Sequence, residues 1–295
     1  MKFYKYILLS GLIVILLSCE KNVTVDIPVA SEEVVVEGRI EIDTIPIVVL
    51  SKTLPFFGEI NINEIQNQTI PGATVIVSDG TLTDTLSQIL PGYGIYFGTH
   101  IRGEAGKSYS LTVNVNGKTL QATTTIPHPV KLDSVWWKVN GNKDSLGFAW
   151  AHLTDPDTIG NCYQWLAQRI NKYTYGNEIG RQKDSVFVAG LGSAFEDKFF
   201  NAKSFDFSFA RGAFSFSDKE DDTNDEKYYF KRGDTVVVKY CSINRKSFEF
   251  WRTEDSQVQN NGNPFGSPAP ISGNIVGGLG IWAGYASQYD TLFCK

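Results

Sequence analysis

The stretch SYSLTVNVNGKTLQATTT, residues 108–125, decides the fold class of this chain. Apolar and polar residues alternate on both sides of Asn116-Gly117, which is the pattern of a strand with one buried face. Asn and Gly both tolerate positive φ at the centre of a two-residue turn. The stretch therefore predicts a β-hairpin with a primed turn, and hence an antiparallel β-sheet.

Runs of the same kind precede the hairpin, each bounded by Gly, Asp or Asn. They predict strands at residues 33–40, 45–50, 73–78 and 93–97. Strands of this length and spacing favour an immunoglobulin-like antiparallel β-sandwich, which we assign to residues 32–126.

The segment Ile126-Pro127-His128-Pro129-Val130 ends this first part. Its two prolines oppose both a helix and ladder pairing, so the segment predicts a stiff joint with His128 as a spacer. Residues 131–295 are again rich in strand patterns, at 132–139, 145–153 and 162–170 and in the alternating Phe205, Phe207 and Phe209. They predict a second, aromatic-rich β-sandwich or barrel-like domain.

One segment of the second part has helical periodicity instead. Phe248, Trp251 and Val258 would share one face of a short helix, interrupted only by Asp255. Asn244 is a suitable cap because its side chain can accept a hydrogen bond from a first-turn amide. The predicted fold class is therefore mainly all-β, with two β-rich domains and one short helix.

The amino terminus carries a targeting signal. Lys2 and Lys5 precede an apolar run at residues 7–17 that is too short to span a bilayer comfortably. Leu16-Leu17-Ser18-Cys19 matches a bacterial lipobox, in which the cysteine thiol receives diacylglycerol; an ordinary signal peptide would place Cys19 there only by coincidence. We predict a signal peptide at residues 1–18, lipidation of Cys19, a polar tether at residues 19–31 and attachment to a membrane.

Composition and spacing exclude several functions. Without Lys2 and Lys5, the 27 basic residues become 25 against 32 acidic ones, a formal charge of −7, so no nucleic-acid partner is expected. The chain has no CxxC or HxxxH spacing, and we predict no cofactor and no metal site. Three cysteines beyond Cys19, namely Cys162, Cys241 and Cys294, allow at most one intramolecular bridge. We favour burial of these cysteines as reduced core residues, and a disulfide between two of them remains the alternative.

Two acidic patterns are weak candidates for chemistry. The run at residues 217–227 offers Asp218, Glu220 and Asp222 as calcium ligands but lacks the glycine of an EF-hand loop, so a solvated loop is favoured. For Asp155-Pro156-Asp157 a structural turn is the favoured interpretation. A hydrolase that uses Asp155, Asp157 or Asp222 is the least favoured function. We assign no catalytic residue.

A triplet of Asp, Ser or Thr and an aliphatic residue occurs eight times. Asp ends a turn, the hydroxyl residue begins a strand and the aliphatic residue enters the core, which explains the pattern structurally. The triplet also resembles the acceptor motif of O-glycosylated envelope proteins in Bacteroidota. The candidate acceptors are Thr44, Thr85, Ser134 and Thr158, and we expect only a minority of the triplets to be exposed and modified.

Several further stretches share one layout with the lipobox: Val35-Val36-Glu37-Gly38, Pro71-Gly72-Ala73-Thr74-Val75, Gly106-Lys107-Ser108-Tyr109-Ser110-Leu111 and Asn274-Ile275-Val276-Gly277-Gly278-Leu279-Gly280. Over nearly the whole mature chain this layout resembles the Bacteroidota outer-membrane lipoprotein family catalogued as domain of unknown function 4249. The resemblance implies a lipid-anchored outer-membrane protein, displayed at the surface rather than facing the periplasm, and commonly encoded beside a TonB-dependent receptor.

These observations together predict an accessory lipoprotein, not an enzyme, that docks on a TonB-dependent transporter and helps to capture or hand over its ligand. A structural surface lipoprotein without a ligand is the alternative. A ligand site is predicted near Phe265, in the Pro- and Gly-rich loop, and around Trp282 and Tyr285. Sequence alone does not separate exposed aromatic residues such as Trp136 and Trp137 from core ones.

Overall fold

The structure is a computed structural model of the 295-residue chain, and it describes residues 32–53, 68–141, 143–175, 178–212, 227–260 and 270–295. About half of the chain is strand, and the described ranges contain one α-helix. The predicted mainly β, multi-sandwich fold class is therefore confirmed.

The described strands follow in this order: β1 (Val34–Glu41), β2 (Ile47–Lys52), β3 (Thr74–Ser78), β4 (Thr83–Leu86), β5 (Ile95–Phe97), β6 (Ser108–Val115), β7 (Lys118–Thr125), β8 (Leu132–Val139), β9 (Leu146–Thr154), β10 (Cys162–Arg169), β11 (Lys172–Tyr175), β12 (Glu178–Gln182), β13 (Ala194–Glu196), β14 (Ser204–Phe209), β15 (Phe230–Lys231), β16 (Thr235–Ile243) and β17 (Leu279–Phe293). A 3₁₀ turn covers Asp197–Phe199, and the helix α1 covers Arg245–Asn260.

The predicted hairpin is present. β6 and β7 pair antiparallel up to Val115 and Lys118, and the turn residues Asn116 and Gly117 have φ of 50° and 73°. Positive φ at both positions is what a primed two-residue turn requires. The hairpin forms one side of a four-stranded sheet with the order β4-β3-β6-β7.

A seven-stranded central sheet has the order β13-β10-β16-β17-β1-β2-β5. The first half of β17 pairs parallel with β1, from Val35 opposite Leu279 to Glu41 opposite Tyr285. Its second half pairs antiparallel with β16, up to Phe293 opposite Thr235. The first sandwich is therefore not purely antiparallel as predicted, because it takes one parallel strand from the end of the chain.

Two sandwiches share this central sheet. The first core lies between β1, β2 and the β4-β3-β6-β7 sheet, and contains Val36, Leu111 and Trp282. The second lies between β10, β16 and a sheet in which β8, β14 and β15 flank β9. The predicted joint at residues 126–130 falls between β7 of the first core and β8 of the second, and the central sheet takes strands from both sides of this joint.

Glycine explains how β1 and β17 approach so closely. Gly280 has φ of 106°, and a Cβ built on it would lie 2.0 Å from the Val36 carbonyl oxygen. A Cβ on Gly38 would lie 2.6 Å from Cε3 of the Trp282 ring. These contacts give Gly280 and Gly38 a structural role, because each lets a neighbouring backbone or ring lie directly over it.

The helix begins as predicted. The Ser247 amide donates to Oδ1 of Asn244 at 2.9 Å, so Asn244 is the N-cap. Phe248 and Trp251 pack on a third core with Ile281 and Ala283 of β17. The predicted apolar face is wrong at Val258, which is 53% exposed, because the buried residues of this 16-residue helix, Ser247 and Phe248, lie near its start.

We expect Gly280→Ala to lower the free energy of unfolding by about 3 kcal/mol, because the new methyl group meets the Val36 carbonyl at a positive φ. Gly233→Ala is the matched control: its φ is 93°, but a Cβ there meets no heavy atom within 4 Å, so a loss of about 1 kcal/mol is expected. Urea unfolding measures both. Equal losses would contradict a close β1–β17 contact.

Candidate functional site

A cleft of about 590 Å³ lies beside the proline joint. Pro127, His128 and Pro129 form one wall, residues 156–161 the opposite wall, and the facing ends of β10 and β16 the floor. This volume is typical of small-molecule sites, which range from about 300 to 1,000 Å³.

The proline wall is held in place through the backbone groups of its two flanking residues, Ile126 and Val130. The Val130 amide donates to Oγ of Ser242 at 3.0 Å, and Nε2 of Gln288 donates to the Val130 carbonyl at 2.5 Å. On the other side of the prolines, the Ile126 amide donates to the Lys107 carbonyl at 3.0 Å. The wall is therefore fixed to both sandwiches, although it has no ladder pairing of its own.

The opposite wall turns around a buried carboxylate. Asp197 accepts hydrogen bonds from the Gly160 amide at 2.9 Å and from the Asn161 amide at 2.9 Å. Nδ2 of Asn161 donates to the Thr158 carbonyl at 2.6 Å. Because a buried carboxylate is costly unless it is hydrogen-bonded, these contacts define one loop conformation. Both walls are thus preformed.

The start of α1 closes the cleft. Nδ2 of Asn244 donates to Oγ1 of Thr124 at 2.7 Å, which ties the helix cap to the end of β7. Nη1 of Arg245 donates to the Glu196 carboxylate, and this hydrogen bond raises the pKa of Arg245. The Arg245 cation at the rim is therefore already paired.

The cleft contains two side chains that could react, the thiol of Cys162 and the hydroxyl of Tyr163. Burial raises the pKa of the Cys162 thiol to about 11, so this thiol is protonated and weakly nucleophilic at neutral pH. The Tyr163 hydroxyl donates to the Asp155 carboxylate, and burial raises the pKa of Tyr163. The arrangement favours hydrogen bonding and apolar contact over nucleophilic chemistry.

The remaining cysteines agree with the favoured interpretation. Cys162, Cys241 and Cys294 are free and buried, which confirms them as core residues. Burial raises the pKa of Cys241 to about 11 and that of Cys294 to about 12.

The carboxylates proposed for a hydrolase have separate structural roles. Asp155 is buried, and besides the Tyr163 contact it accepts a hydrogen bond from the Ala202 amide at 3.3 Å. Asp157 is exposed and accepts from Nδ2 of Asn201 at 3.2 Å. Asp222 lies outside the described residues, as do the calcium candidates Asp218 and Glu220.

The structure places the predicted ligand-binding aromatic residues in the core. Trp282 is fully buried, with Nε1 donating to the Tyr109 carbonyl at 3.0 Å. The Tyr285 hydroxyl is buried and accepts from Nε1 of Trp251 at 3.0 Å. Trp282 is 0% and Tyr285 7% exposed, so both are corrected to core residues. Phe265 lies outside the described residues.

The two adjacent tryptophans of β8 point to opposite faces, as neighbouring strand residues must. Trp137 packs against the second core. Trp136 lies on the outer face with Trp150 of β9, with ring centroids 6.2 Å apart and planes 20° from parallel. This pair is partly exposed and is the aromatic surface that sequence patterns did not distinguish.

Within the described ranges, no group of three His, Cys, Asp or Glu side chains is placed to hold a metal ion. In the same ranges no helix combines the length and the apolar character that a membrane span needs.

Most of the Asp triplets expose their hydroxyl residue, and the expectation that only a minority is both exposed and modified stays a prediction. The hydroxyl residue is exposed at six of the eight, namely Thr44, Thr85, Ser134, Thr158, Ser185 and Thr291. In β4 the reason is visible: Asp84 and Leu86 face inward, and strand alternation turns Thr85 outward. Glycosylation of these residues stays a prediction.

Fold and cleft together define a mainly β, multi-sandwich protein with a preformed cleft beside its central sheet. The sequence profile described as Domain of unknown function (DUF4249) matches residues 20–290, and the chain belongs to this family. No curated protein matches the chain.

We expect Asp84→Asn to lower stability near neutral pH and to have little effect near pH 2. Burial alone would raise the pKa of Asp84, but hydrogen bonds from the His100, Thr99 and Ile101 amides hold it at about 2. The carboxylate therefore contributes stability above its unfolded pKa near 3.8, about 2.5 kcal/mol, which is lost as the pH falls toward 2.

Urea unfolding at pH 7 and pH 2.5 measures this difference. Asp144→Asn is the control, since Asp144 is an exposed aspartate of another triplet. A loss of stability that is the same at both pH values would contradict the role of the ionised Asp84 carboxylate as acceptor for these three amides.

Proposed function

We propose that this protein is a lipid-anchored accessory subunit of a TonB-dependent outer-membrane transporter, which binds a ligand or a partner segment without transforming it. The anchor rests on the lipobox at residues 16–19. The family match begins at residue 20, immediately after Cys19, as expected if residues 1–18 are a signal peptide. Outer-leaflet display and the transporter partner rest on the family resemblance.

The preformed cleft is the observation that supports binding. Its walls are fixed by the Val130–Ser242 and Gly160–Asp197 contacts, so a ligand would meet an ordered surface. The Cys162 thiol is protonated at neutral pH, and the hydroxyl of Tyr163 is bonded to Asp155. A protonated thiol and a hydrogen-bonded hydroxyl are weak nucleophiles, and they are suited to hold a ligand in place.

Two exposed side chains next to the cleft suggest where the transporter docks. Ile159 is 88% exposed and Phe199 is 81% exposed. Both lie beside the Asp197 carboxylate that fixes the loop at residues 156–161. Large apolar side chains that face water are a mark of protein interaction sites.

Purification of the tagged full-length protein from its own outer membrane tests the proposal. We expect a TonB-dependent barrel to co-purify with the natural chain in mild detergent, and the double substitution Ile159→Ser, Phe199→Ser to reduce its recovery by about tenfold, the effect of roughly 1.4 kcal/mol of lost contact. Leu82→Ser is the matched control, because Leu82 is exposed on the turn between β3 and β4.

Recovery of the protein without a barrel would overturn the accessory role and favour a structural surface lipoprotein. Mass spectrometry of the purified chain tests the anchor separately. Acylation of Cys19 supports it, and an unmodified Cys19 contradicts it.

A further inference from the structure

Several strands of the first sandwich begin or end close to residue 32. β1 and β17 begin there together, with Val35 opposite Leu279, and β2 ends there with Lys52 opposite Val34. The β6–β7 turn lies at the same end, since Nζ of Lys118 donates to the Glu33 carboxylate at 3.3 Å. We call this the tether end, because the chain from Cys19 joins the fold here.

The loop between β4 and β5, residues 87–94, also lies at the tether end. The Leu50 amide donates to the Gly94 carbonyl at 2.8 Å, close to the end of β2. Oγ1 of Thr69 donates to the Gly92 carbonyl at 3.0 Å, and Thr69 itself bridges to Ser51. The loop is thus held beside the last residues of β2.

The tether end exposes several large apolar side chains. Five large apolar side chains there are between 49% and 71% exposed: Ile89, Leu90, Tyr93, Val276 and Leu279. Three come from the 87–94 loop, Val276 lies just before β17, and Leu279 is the first residue of β17. A group of this kind on one end of a fold marks an interaction surface.

The charges around this surface are paired. Nζ of Lys52 lies 2.9 Å from the Glu32 carboxylate, and Nζ of Lys118 lies 3.3 Å from that of Glu33. With two acidic and two basic side chains, these pairs add no net charge to the tether end. An anionic lipid surface would therefore not be repelled by them, and the contact would depend on apolar insertion.

The short stretch of chain between Cys19 and the fold favours a lipid surface as the partner of the tether end. Cys19 precedes Glu32 by 13 residues in the sequence. Thirteen residues reach at most about 45 Å even when fully extended, so acyl chains on Cys19 would keep residue 32 within that distance of the lipid and favour positions of the fold with the tether end close to it.

We propose that the tether end rests on the bilayer surface, with Ile89, Leu90 and Tyr93 inserted at the level of the lipid head groups. A tyrosine suits this depth, because its ring is apolar and its hydroxyl stays hydrated. The cleft is kept away from the lipid, since it adjoins Thr125 at the opposite end of β7 from Lys118. The inference rests on the proposed lipid anchor, and it adds which surface faces the membrane.

The test replaces the natural anchor, so that it does not depend on acylation of Cys19. Residues 20–295 carry an amino-terminal histidine tag and are bound to vesicles of phosphatidylethanolamine and phosphatidylglycerol that contain a nickel-chelating lipid. The variants Leu90→Cys and Thr158→Cys are each labelled with an environment-sensitive nitrobenzoxadiazole dye. The three natural thiols are buried and do not compete for the label.

We expect the dye at position 90 to shift to shorter wavelength on the vesicles and to be quenched at least about twofold more by a shallow nitroxide-labelled lipid than the dye at position 158. Addition of Tyr93→Ser and Ile89→Ser to the Leu90→Cys variant should reduce both effects. Circular dichroism checks that each variant is folded.

Equal quenching at positions 90 and 158, or no shift at position 90, would overturn the proposed orientation. This outcome is distinct from failure of the anchor, which the mass of the native protein reports. An unacylated Cys19 combined with strong quenching at position 90 would contradict the lipid anchor while supporting the membrane-facing surface.

Discussion

The parallel pairing of β1 with β17 is the constraint on which the rest of the structure depends. It joins residues 35–41 to residues 279–285, so β17 completes the first sandwich before it continues into the second. At the end of the pairing, Glu41 lies 2.6 Å from Nζ of Lys239 on β16 and accepts a hydrogen bond from Ser287 at 2.8 Å. Burial alone would raise the pKa of Glu41, but the Lys239 charge keeps it below its ordinary value. Since both partners are nearly buried, removal of either one would leave an uncompensated charge inside the fold.

This frame sets the relation between the two proposed surfaces. The tether end lies where β1 and β17 begin, and the cleft lies where the proline joint passes from the first core to the second. The joint is bonded to Ser242 and Gln288 of strands that belong to the central sheet, so the cleft is carried by the same sheet that presents the exposed loop at residues 87–94. Under the proposed function, this sheet would place a ligand in the cleft on the side of the fold away from the lipid surface.

The local features of this fold could be predicted from sequence, and the non-local ones could not. The hairpin at residues 108–125 and the Asn244 cap depend on neighbours within a few residues, and both predictions are confirmed. The β1–β17 pairing joins segments more than two hundred residues apart and has no local signal. The division into two domains, at residues 32–126 and 131–295, stays a prediction. Trp282 was wrongly predicted to contact a ligand. Its burial depends on the space that Gly38 leaves in another strand, and the sequence around Trp282 does not show that space. The cleft was missed for the same reason: Asn161, Asp197 and Arg245 come from separate segments, and only the two prolines at 127 and 129 marked the place.

Hydrogen exchange of the mature chain, followed by mass spectrometry across increasing denaturant, tests most directly whether β17 makes one cooperative unit of the two sandwiches. If it does, the amides of β1, β16 and β17 exchange through one common opening, with the same free energy and the same dependence on denaturant. If the amides of residues 34–126 instead exchange through a separate opening of lower free energy than those of residues 130–294, the two parts are independent domains. In that case the β1–β17 pairing does not hold them together.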